Sequence, residues 1–140
     1  MAGDEAMIAL GIGCRRAASV ADIEAVIAHA LSLARLAPAD VSVLATAADK
    51  VGEPGVICAA QRLGRPLVAI ASADMAAVAD RAITRSNRVR RLKGVPSVAE
   101  TAALAAAGAN ARLILARVAN AVATCALAEG EAVTDAEPAP

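Results

Sequence analysis

The sequence contains no phenylalanine, tyrosine or tryptophan, although 58% of its 140 residues are apolar. A hydrophobic core must therefore be built from alanine, valine, leucine and isoleucine, whose small side chains let helices pack closely on a sheet. The absence of aromatic rings also removes the surfaces on which the bases of single-stranded nucleic acids usually stack. We therefore expect no nucleic-acid partner.

The sequence also lacks an excess of positive or negative charge and has no long apolar run. Fourteen basic and fourteen acidic residues give a formal net charge of zero, so no overall field favours DNA or an anionic membrane. The longest uncharged runs, Thr101 to Ala111 and Val118 to Ala128, have eleven residues each, whereas a membrane-spanning helix needs about 20. No basic and apolar leader precedes the first predicted strand, and we therefore expect a cytoplasmic protein without a membrane partner.

Cysteine is scarce, and its spacing is uninformative for metal binding. The three cysteines, Cys14, Cys58 and Cys125, are an odd number and lie far apart in the sequence. This pattern argues against both a disulfide framework and a zinc site. We expect neither a metal nor a cofactor.

Apolar runs of strand length alternate with helical patterns along the chain, and such alternation is typical of α/β domains. We predict a single three-layer α/β/α domain with a mostly parallel sheet of about five strands and an antiparallel edge. The predicted strands are 7–12, 41–45, 66–71, 112–116 and 121–128, and the predicted helices are 19–36, 54–63, 72–82 and 97–107. The domain is expected to span residues 1–128, and the acidic residues 129–140 to form a disordered tail.

The candidate functional site begins at the end of the first predicted strand. Gly11 and Gly13 are expected to form a tight turn there, with Ser19 as the N-cap of the next helix. In an open α/β sheet this turn faces the usual ligand crevice, and a helix N-terminus attracts anions. Because Arg15 and Arg16 follow the turn, the stretch predicts an anion-binding loop. Arg16 stands where a dinucleotide fingerprint needs its third glycine, which disfavours a nucleotide, and a turn with merely solvated arginines is the alternative.

A second loop carries further charged residues. Lys50 and Glu53 lie between the second predicted strand and a helix expected to begin at Pro54. Lys50 is expected to join the arginines at one sheet edge, and Glu53 is the one well-placed candidate for a general base. Charges at a helix start can also be purely structural. Part of the basic cluster between Arg81 and Lys93 could join the same crevice, although the sequence does not define its role, and a solvated face is the alternative.

Four blocks of residues resemble a single family, and they occur in the family's order over nearly the whole chain. The sequence is thereby identified as a member of the family of the cobalamin-biosynthesis protein CobE and the C-terminal domain of CbiG. The lack of an N-terminal extension resembles the stand-alone CobE form. The blocks are Gly11-Ile-Gly-Cys-Arg-Arg16, Lys50-x-x-Glu53-Pro-Gly55, Gly94-Val-Pro-Ser-Val-Ala-Glu100 and Ala123-Thr-Cys-Ala-Leu-Ala128.

The resemblance implies an α/β fold and a role in building the corrin ring of vitamin B12 in the aerobic pathway. The expected function is to act on or carry a corrin-ring intermediate such as hydrogenobyrinic acid, whose carboxylates would pair with the basic loops. Other enzymes of the pathway are further expected partners. The expected ligand-binding residues are Gly11, Gly13, Cys14, Arg15, Arg16, Lys50, Glu53, Ser97, Glu100 and Thr124.

The alternative function is catalytic. Family members with an extra N-terminal domain are associated with opening a precorrin lactone and releasing acetaldehyde, and Glu53 would be the catalytic base of such a hydrolase. The chain has Ala48, Gly52 and Ala116 at positions where the family commonly has charged residues. These departures favour binding over catalysis.

Overall fold

The computed structural model describes residues 6–84 and 97–131, which form a five-stranded sheet with helices on both faces. The strands are β1 (Ala6–Cys14), β2 (Val43–Ala47), β3 (Leu67–Ile70), β4 (Ala109–Ala119) and β5 (Ala123–Glu131). The helices are α1 (Val20–Ala34), α2 (Pro54–Leu63), α3 (Ser72–Ala77) and α4 (Val98–Ala107).

The strands are ordered β3-β2-β1-β5-β4 across the sheet. β1, β2 and β3 are parallel, while β5 is antiparallel to both β1 and β4. The predicted mostly parallel sheet with an antiparallel edge is confirmed. The loops that leave the carboxyl ends of β1 and β2 and the β4–β5 turn therefore meet at one edge, which we call the carboxyl edge (residues 15–19, 48–53 and 120–122).

The face covered by α1 and α2 holds the larger aliphatic side chains. Leu10, Ile12 and Leu44 of the sheet are fully buried there, together with Ile23 of α1 and Val56 of α2. Burying one such side chain completely contributes roughly 1.5–3 kcal/mol. This layer provides much of the hydrophobic stabilisation that aromatic residues supply in other proteins.

The opposite face is built from alanine and glycine, and α4 lies directly on it. A Cβ placed on Gly11 of β1 would overlap the carbonyl oxygen of Ala99, and one on Gly130 of β5 would overlap that of Ala107. The backbone of α4 thus occupies the space that side chains would fill elsewhere. The buried alanines of this face include Ala9, Ala45, Ala47, Ala102, Ala103 and Ala128.

Two predicted helix starts are confirmed. The Ser19 side chain accepts a hydrogen bond from the Asp22 backbone N–H at 3.1 Å, which is the expected N-cap of α1. Helix α2 begins at Pro54 and ends before Gly64, whose φ of 75° suits glycine. At both helices, local residue preferences fixed the boundary to within two residues.

Other boundaries differ from the predicted ones because of local 3-10 turns and, in β5, because of strand pairing. β2 starts at Val43, since Pro38–Asp40 form a 3-10 turn. The helix predicted at 72–82 ends at Ala77 and is followed by a second 3-10 turn, Ala79–Arg81. β4 is longer than the predicted 112–116. β5 runs to Glu131 instead of ending at 128, because its last residues pair with β1. The rest of the predicted tail lies outside the described residues.

Candidate functional site

A cleft opens at the carboxyl edge between the N-termini of α1 and α2, and we call it the α1–α2 cleft. Its volume is about 580 Å³, within the usual range of ligand pockets, roughly 300–1,000 Å³. The walls are mostly apolar, with one arginine and one glutamate. The lining residues are Arg16, Ala17, Ala18, Ser19, Val20, Glu53, Pro54, Gly55 and Cys58.

The electrostatic character of the cleft favours an anion. Two helix N-termini meet there, and each contributes the positive end of its dipole. Arg15 and Arg16 are exposed beside them, and Lys50 is half-buried in the β2–α2 loop. The carboxylates nearby are engaged in bonds, since Asp22 accepts from the Ser19 hydroxyl at 3.0 Å and Glu53 accepts from a backbone N–H.

The β1–α1 loop is held at several points. The Arg15 N–H donates to the carbonyl of Val122 in the β4–β5 turn at 2.9 Å, and the Ala18 N–H donates back to Arg15 O at 3.2 Å. Ala17 has a φ of 61°, a left-handed conformation that costs a non-glycine residue roughly 1–2 kcal/mol. Its N–H donates to Glu53 Oε1 at 2.8 Å. Glu53 therefore connects the two loops that border the cleft.

Gly55 and Cys58 line the cleft, although the sequence pattern did not predict them as site residues. A Cβ on Gly55 would overlap the carbonyl oxygen of Ala18 and would lie 3.0 Å from Ile23 Cδ1. A glycine at this position therefore lets the first turn of α2 pack directly against the β1–α1 loop. Gly55 follows Pro54 in the second family block, and its presence there was the sequence signal that could have placed it in the site.

The structure brings the predicted basic residues to one edge but separates several other predicted site residues from them. Arg16 and Glu53 line the cleft, and Arg15 and Lys50 lie in the same two loops. Cys14 is the last residue of β1 and packs against the core on the α1 side of the sheet.

The predicted tight turn at Gly11 and Gly13 is wrong. Both glycines lie inside β1, paired with Ala126 and Thr124 of β5, and neither has a positive φ. Their function is close packing, since a Cβ on Gly13 would lie 2.7 Å from Thr124 Oγ1. The chain stays extended to Cys14, where it still pairs with β5, and α4 packs directly on the side-chain-free position of Gly11.

Ser97, Glu100 and Thr124 form a polar group around the N-terminus of α4. Ser97 is the N-cap and accepts from the Glu100 N–H, and the Thr124 hydroxyl donates to Gly13 O at 3.3 Å. Ser97 and Glu100 are fully buried. In this arrangement both residues have structural contacts at the start of α4, and their binding of a ligand stays a prediction.

The Glu100 carboxylate accepts three backbone N–H groups. Oε1 accepts from Ile83 at 2.8 Å and Thr84 at 2.9 Å, and Oε2 accepts from Arg117 of β4 at 2.8 Å. Glu100 thereby fastens the segment that follows Arg81, as well as β4, to α4. The three donated hydrogen bonds offset the cost of burying this carboxylate away from water.

Glu100→Gln should lower the stability measurably. One amide oxygen can still accept from Ile83 and Thr84, but the amide nitrogen would face the Arg117 N–H, donor against donor. The loss of a hydrogen bond to a charged group predicts a cost of about 2 kcal/mol, to be measured by urea unfolding. Asp80→Asn removes one exposed carboxylate as a matched control and should leave the midpoint unchanged. Equal midpoints for both variants would contradict the role of Glu100.

The basic cluster predicted between Arg81 and Lys93 is described only at its first member. Arg81 donates from a guanidinium nitrogen to the Ala111 carbonyl of β4 at 3.3 Å. The other basic residues of the cluster lie outside the described residues; they are Arg85, Arg88, Arg90, Arg91 and Lys93.

Within residues 6–84 and 97–131, no group of three or more potential metal ligands comes together, and no helix is long and apolar enough to cross a bilayer. The three cysteines form no disulfide within the described residues, and Cys14 and Cys58 are half-buried while Cys125 lies in the core. Burial raises the pKa of the Cys125 thiol, because desolvation disfavours the thiolate.

Thiol labelling of the native protein should accordingly spare Cys125. The thiolate is the reactive form, so a maleimide at pH 8 is expected to modify Cys58 and Cys14 but to reach Cys125 only in denaturant. Mass spectrometry of the digested protein gives the extent of labelling at each position. Modification of Cys125 in the native state as fast as that of Cys58 would contradict its placement in the core.

Residues 8–128 match the sequence model of the family described as Cobalamin synthesis G C-terminus. The chain belongs to this family. The resemblance carried by the four sequence blocks is confirmed, and the chain is a protein of the cobalamin biosynthetic pathway.

Relatives of the family share both sequence and fold with this chain. Protein CobE from Sinorhizobium sp is 36% identical over 130 residues, which cover 93% of this chain and 84% of that protein. The crystal structure of CobE, a protein from the cobalamin (vitamin B12) biosynthetic pathway, matches with a TM-score of 0.84 at 34% identity, over 89% of this chain and 90% of that one. The cobalamin biosynthesis protein chiG from Agrobacterium tumefaciens str. C58 matches with a TM-score of 0.70 at 36% identity, over 87% and 97%.

Proposed function

We propose that this protein binds a corrin-ring intermediate of cobalamin biosynthesis, such as hydrogenobyrinic acid, through its peripheral carboxylates at the α1–α2 cleft. The observation that carries the proposal is the meeting of two helix N-termini with Arg15, Arg16 and Lys50 at one edge of the sheet. Helix N-termini and arginine side chains both suit carboxylates, the arginines through paired hydrogen bonds.

The shape of the cleft supports a large, partly apolar ligand. Its walls combine Arg16 with the apolar surfaces of Val20 and Pro54. A corrin ring has the same combination, an apolar macrocycle with anionic groups at its rim. An open cleft allows part of such a ring to enter while the remaining carboxylates reach the exposed Arg15 and Lys50.

The geometry favours carrying the intermediate over hydrolysing it. A general base must reach the reacting group with a free acceptor oxygen, and Glu53 is the one carboxylate among the described residues that line the cleft. Its Oε1 accepts from the Ala17 N–H, and neither a histidine nor a second carboxylate stands beside it among the described lining residues. A binding or hand-over role therefore fits the site better than opening of a lactone.

Titration of hydrogenobyrinic acid into the purified protein tests the proposal. Because the chain has no tryptophan, binding is followed through the absorbance of the pigment. Between 50 mM and 500 mM salt the affinity should fall about tenfold, since exposed charge pairs are screened over a few ångströms at high ionic strength. An affinity that does not change with salt would argue that carboxylate pairing is not the basis of binding.

A separate incubation tests the catalytic alternative. Incubation with late precorrins should leave the pigment bound and release no acetaldehyde above the level of a protein-free control. Acetaldehyde release that is absent in Glu53→Gln would establish the hydrolase instead.

A further inference from the structure

The two loops that border the α1–α2 cleft are joined by a side chain that sequence reasoning assigned to catalysis. Glu53 is the N-cap residue of α2, yet its carboxylate makes no capping bond to its own helix. It accepts instead from the N–H of Ala17, 36 residues earlier in the chain, at 2.8 Å. Glu53 is half-buried and Ala17 is exposed, so this bond lies at the rim of the cleft.

Ala17 is the residue of the β1–α1 loop that most needs such support. Its left-handed backbone, with a φ of 61°, is disfavoured for alanine. The loop is anchored on one side of it by the bond from Arg15 to Val122, and on the other side by the Ser19 cap of α1. Arg16 lies between the first anchor and Ala17, so its direction into the cleft depends on the backbone that Glu53 holds.

We propose that Glu53 is a positioning residue, which holds the β1–α1 loop so that Arg16 faces the α1–α2 cleft and is ready to pair with a carboxylate of the ligand. This inference rests on the proposed function. It assigns Glu53 no proton transfer and no contact with the ligand. Strain at a single backbone position that is held by a specific partner is typical of preorganised binding sites.

The sign of the effect separates positioning from simple electrostatics. Removal of a negative charge from a cleft that binds a polyanion should strengthen binding if charge alone mattered. Positioning predicts the opposite for Glu53→Ala, because the loop loses its support. Glu53→Gln removes the charge but keeps an acceptor oxygen for the Ala17 N–H, and it should therefore bind at least as tightly as the unmodified protein.

The experiment compares hydrogenobyrinic acid affinity at low salt for Glu53→Ala, Glu53→Gln and a matched control, Glu24→Ala. Glu24 lies in α1 and pairs with Arg62 at 3.0 Å, so the control removes a carboxylate from the same side of the sheet without touching the loop. Glu53→Ala is expected to lose about tenfold in affinity, while the other two lose none. A Glu53→Ala variant that binds as tightly as the unmodified protein, or a Glu53→Gln variant that is equally weak, overturns the proposal.

Hydrogen exchange at the Ala17 amide gives a second readout that needs no ligand. Exchange should be slow in the unmodified protein and in Glu53→Gln, and at least about tenfold faster in Glu53→Ala, with neighbouring helical amides unchanged. Equal exchange in all three overturns the positioning role. If the unmodified protein fails to bind the pigment, the proposed function fails, and the exchange rates still decide whether Glu53 holds the loop.

Discussion

Gly11→Val is expected to abolish cooperative folding or to lower the Tm by more than about 10 °C, which corresponds to roughly 3 kcal/mol for a domain of this size. The first atom of the new side chain would overlap the Ala99 carbonyl oxygen and would lie 2.8 Å from the Ala103 nitrogen. These are backbone atoms of α4, which cannot move aside as a flexible side chain can. The whole helix would have to lift from the sheet.

The control for this substitution is Gly52→Ala. Gly52 lies in the β2–α2 loop, where an added Cβ meets no atom within 4 Å and the backbone has no positive φ. Its Tm should stay within about 2 °C of the unmodified protein. Thermal unfolding followed by circular dichroism measures both variants. A Gly11→Val variant that folds normally but fails to bind pigment would restore the interpretation of this glycine as part of a binding turn.

The triple variant Arg15→Ala, Arg16→Ala, Lys50→Ala should lose about 100-fold in affinity for hydrogenobyrinic acid. Charge pairs of exposed side chains contribute up to about 1 kcal/mol each. Three of them account for roughly 3 kcal/mol, and about 1.4 kcal/mol corresponds to a factor of ten. All three side chains belong to loops at the carboxyl edge, and none is needed for the core. Folding should therefore be preserved, which circular dichroism can verify.

Arg112→Ala is the matched control for this loss. Arg112 is 73% exposed and pairs with Glu129 at 3.3 Å, near the end of the sheet opposite to the carboxyl edge. Its removal lowers the total positive charge without altering the proposed site. The affinity should stay within about twofold of the unmodified protein. If Arg112→Ala lowers the affinity by as much as each of the three substitutions in the triple variant does on average, the attraction is nonspecific and the cleft is not the site.

The fold was predictable because its signals are local. Alternating apolar segments indicated the α/β sheet, and Ser19 and Pro54 marked two helix starts through their own backbone preferences. The family was recognisable for the same reason, since four short blocks kept their order. The edge shared by Arg16 and Lys50 followed from the rule that the loops after parallel strands lie together.

The local sequence did not show what each glycine and carboxylate contacts. Gly11 and Gly13 are compatible with a turn or with a strand that a helix approaches closely, and α4, which decides between them, begins more than 80 residues later. Glu53 and Glu100 were correctly noticed as charged residues near helix starts. Their partners, Ala17 for the first and Arg117 for the second, depend on tertiary contacts.

The central claim is that the ligand binds at the carboxyl edge, between the loops that carry Arg15, Arg16 and Lys50. Titration of hydrogenobyrinic acid into isotope-labelled protein, followed by the backbone amide NMR signals, tests it most directly. The account predicts that the largest shifts occur at residues 15–20 and 48–58, with little change at residues 29–35 and 109–112. Largest shifts at the latter residues, or no shifts at a saturating pigment concentration, would contradict it.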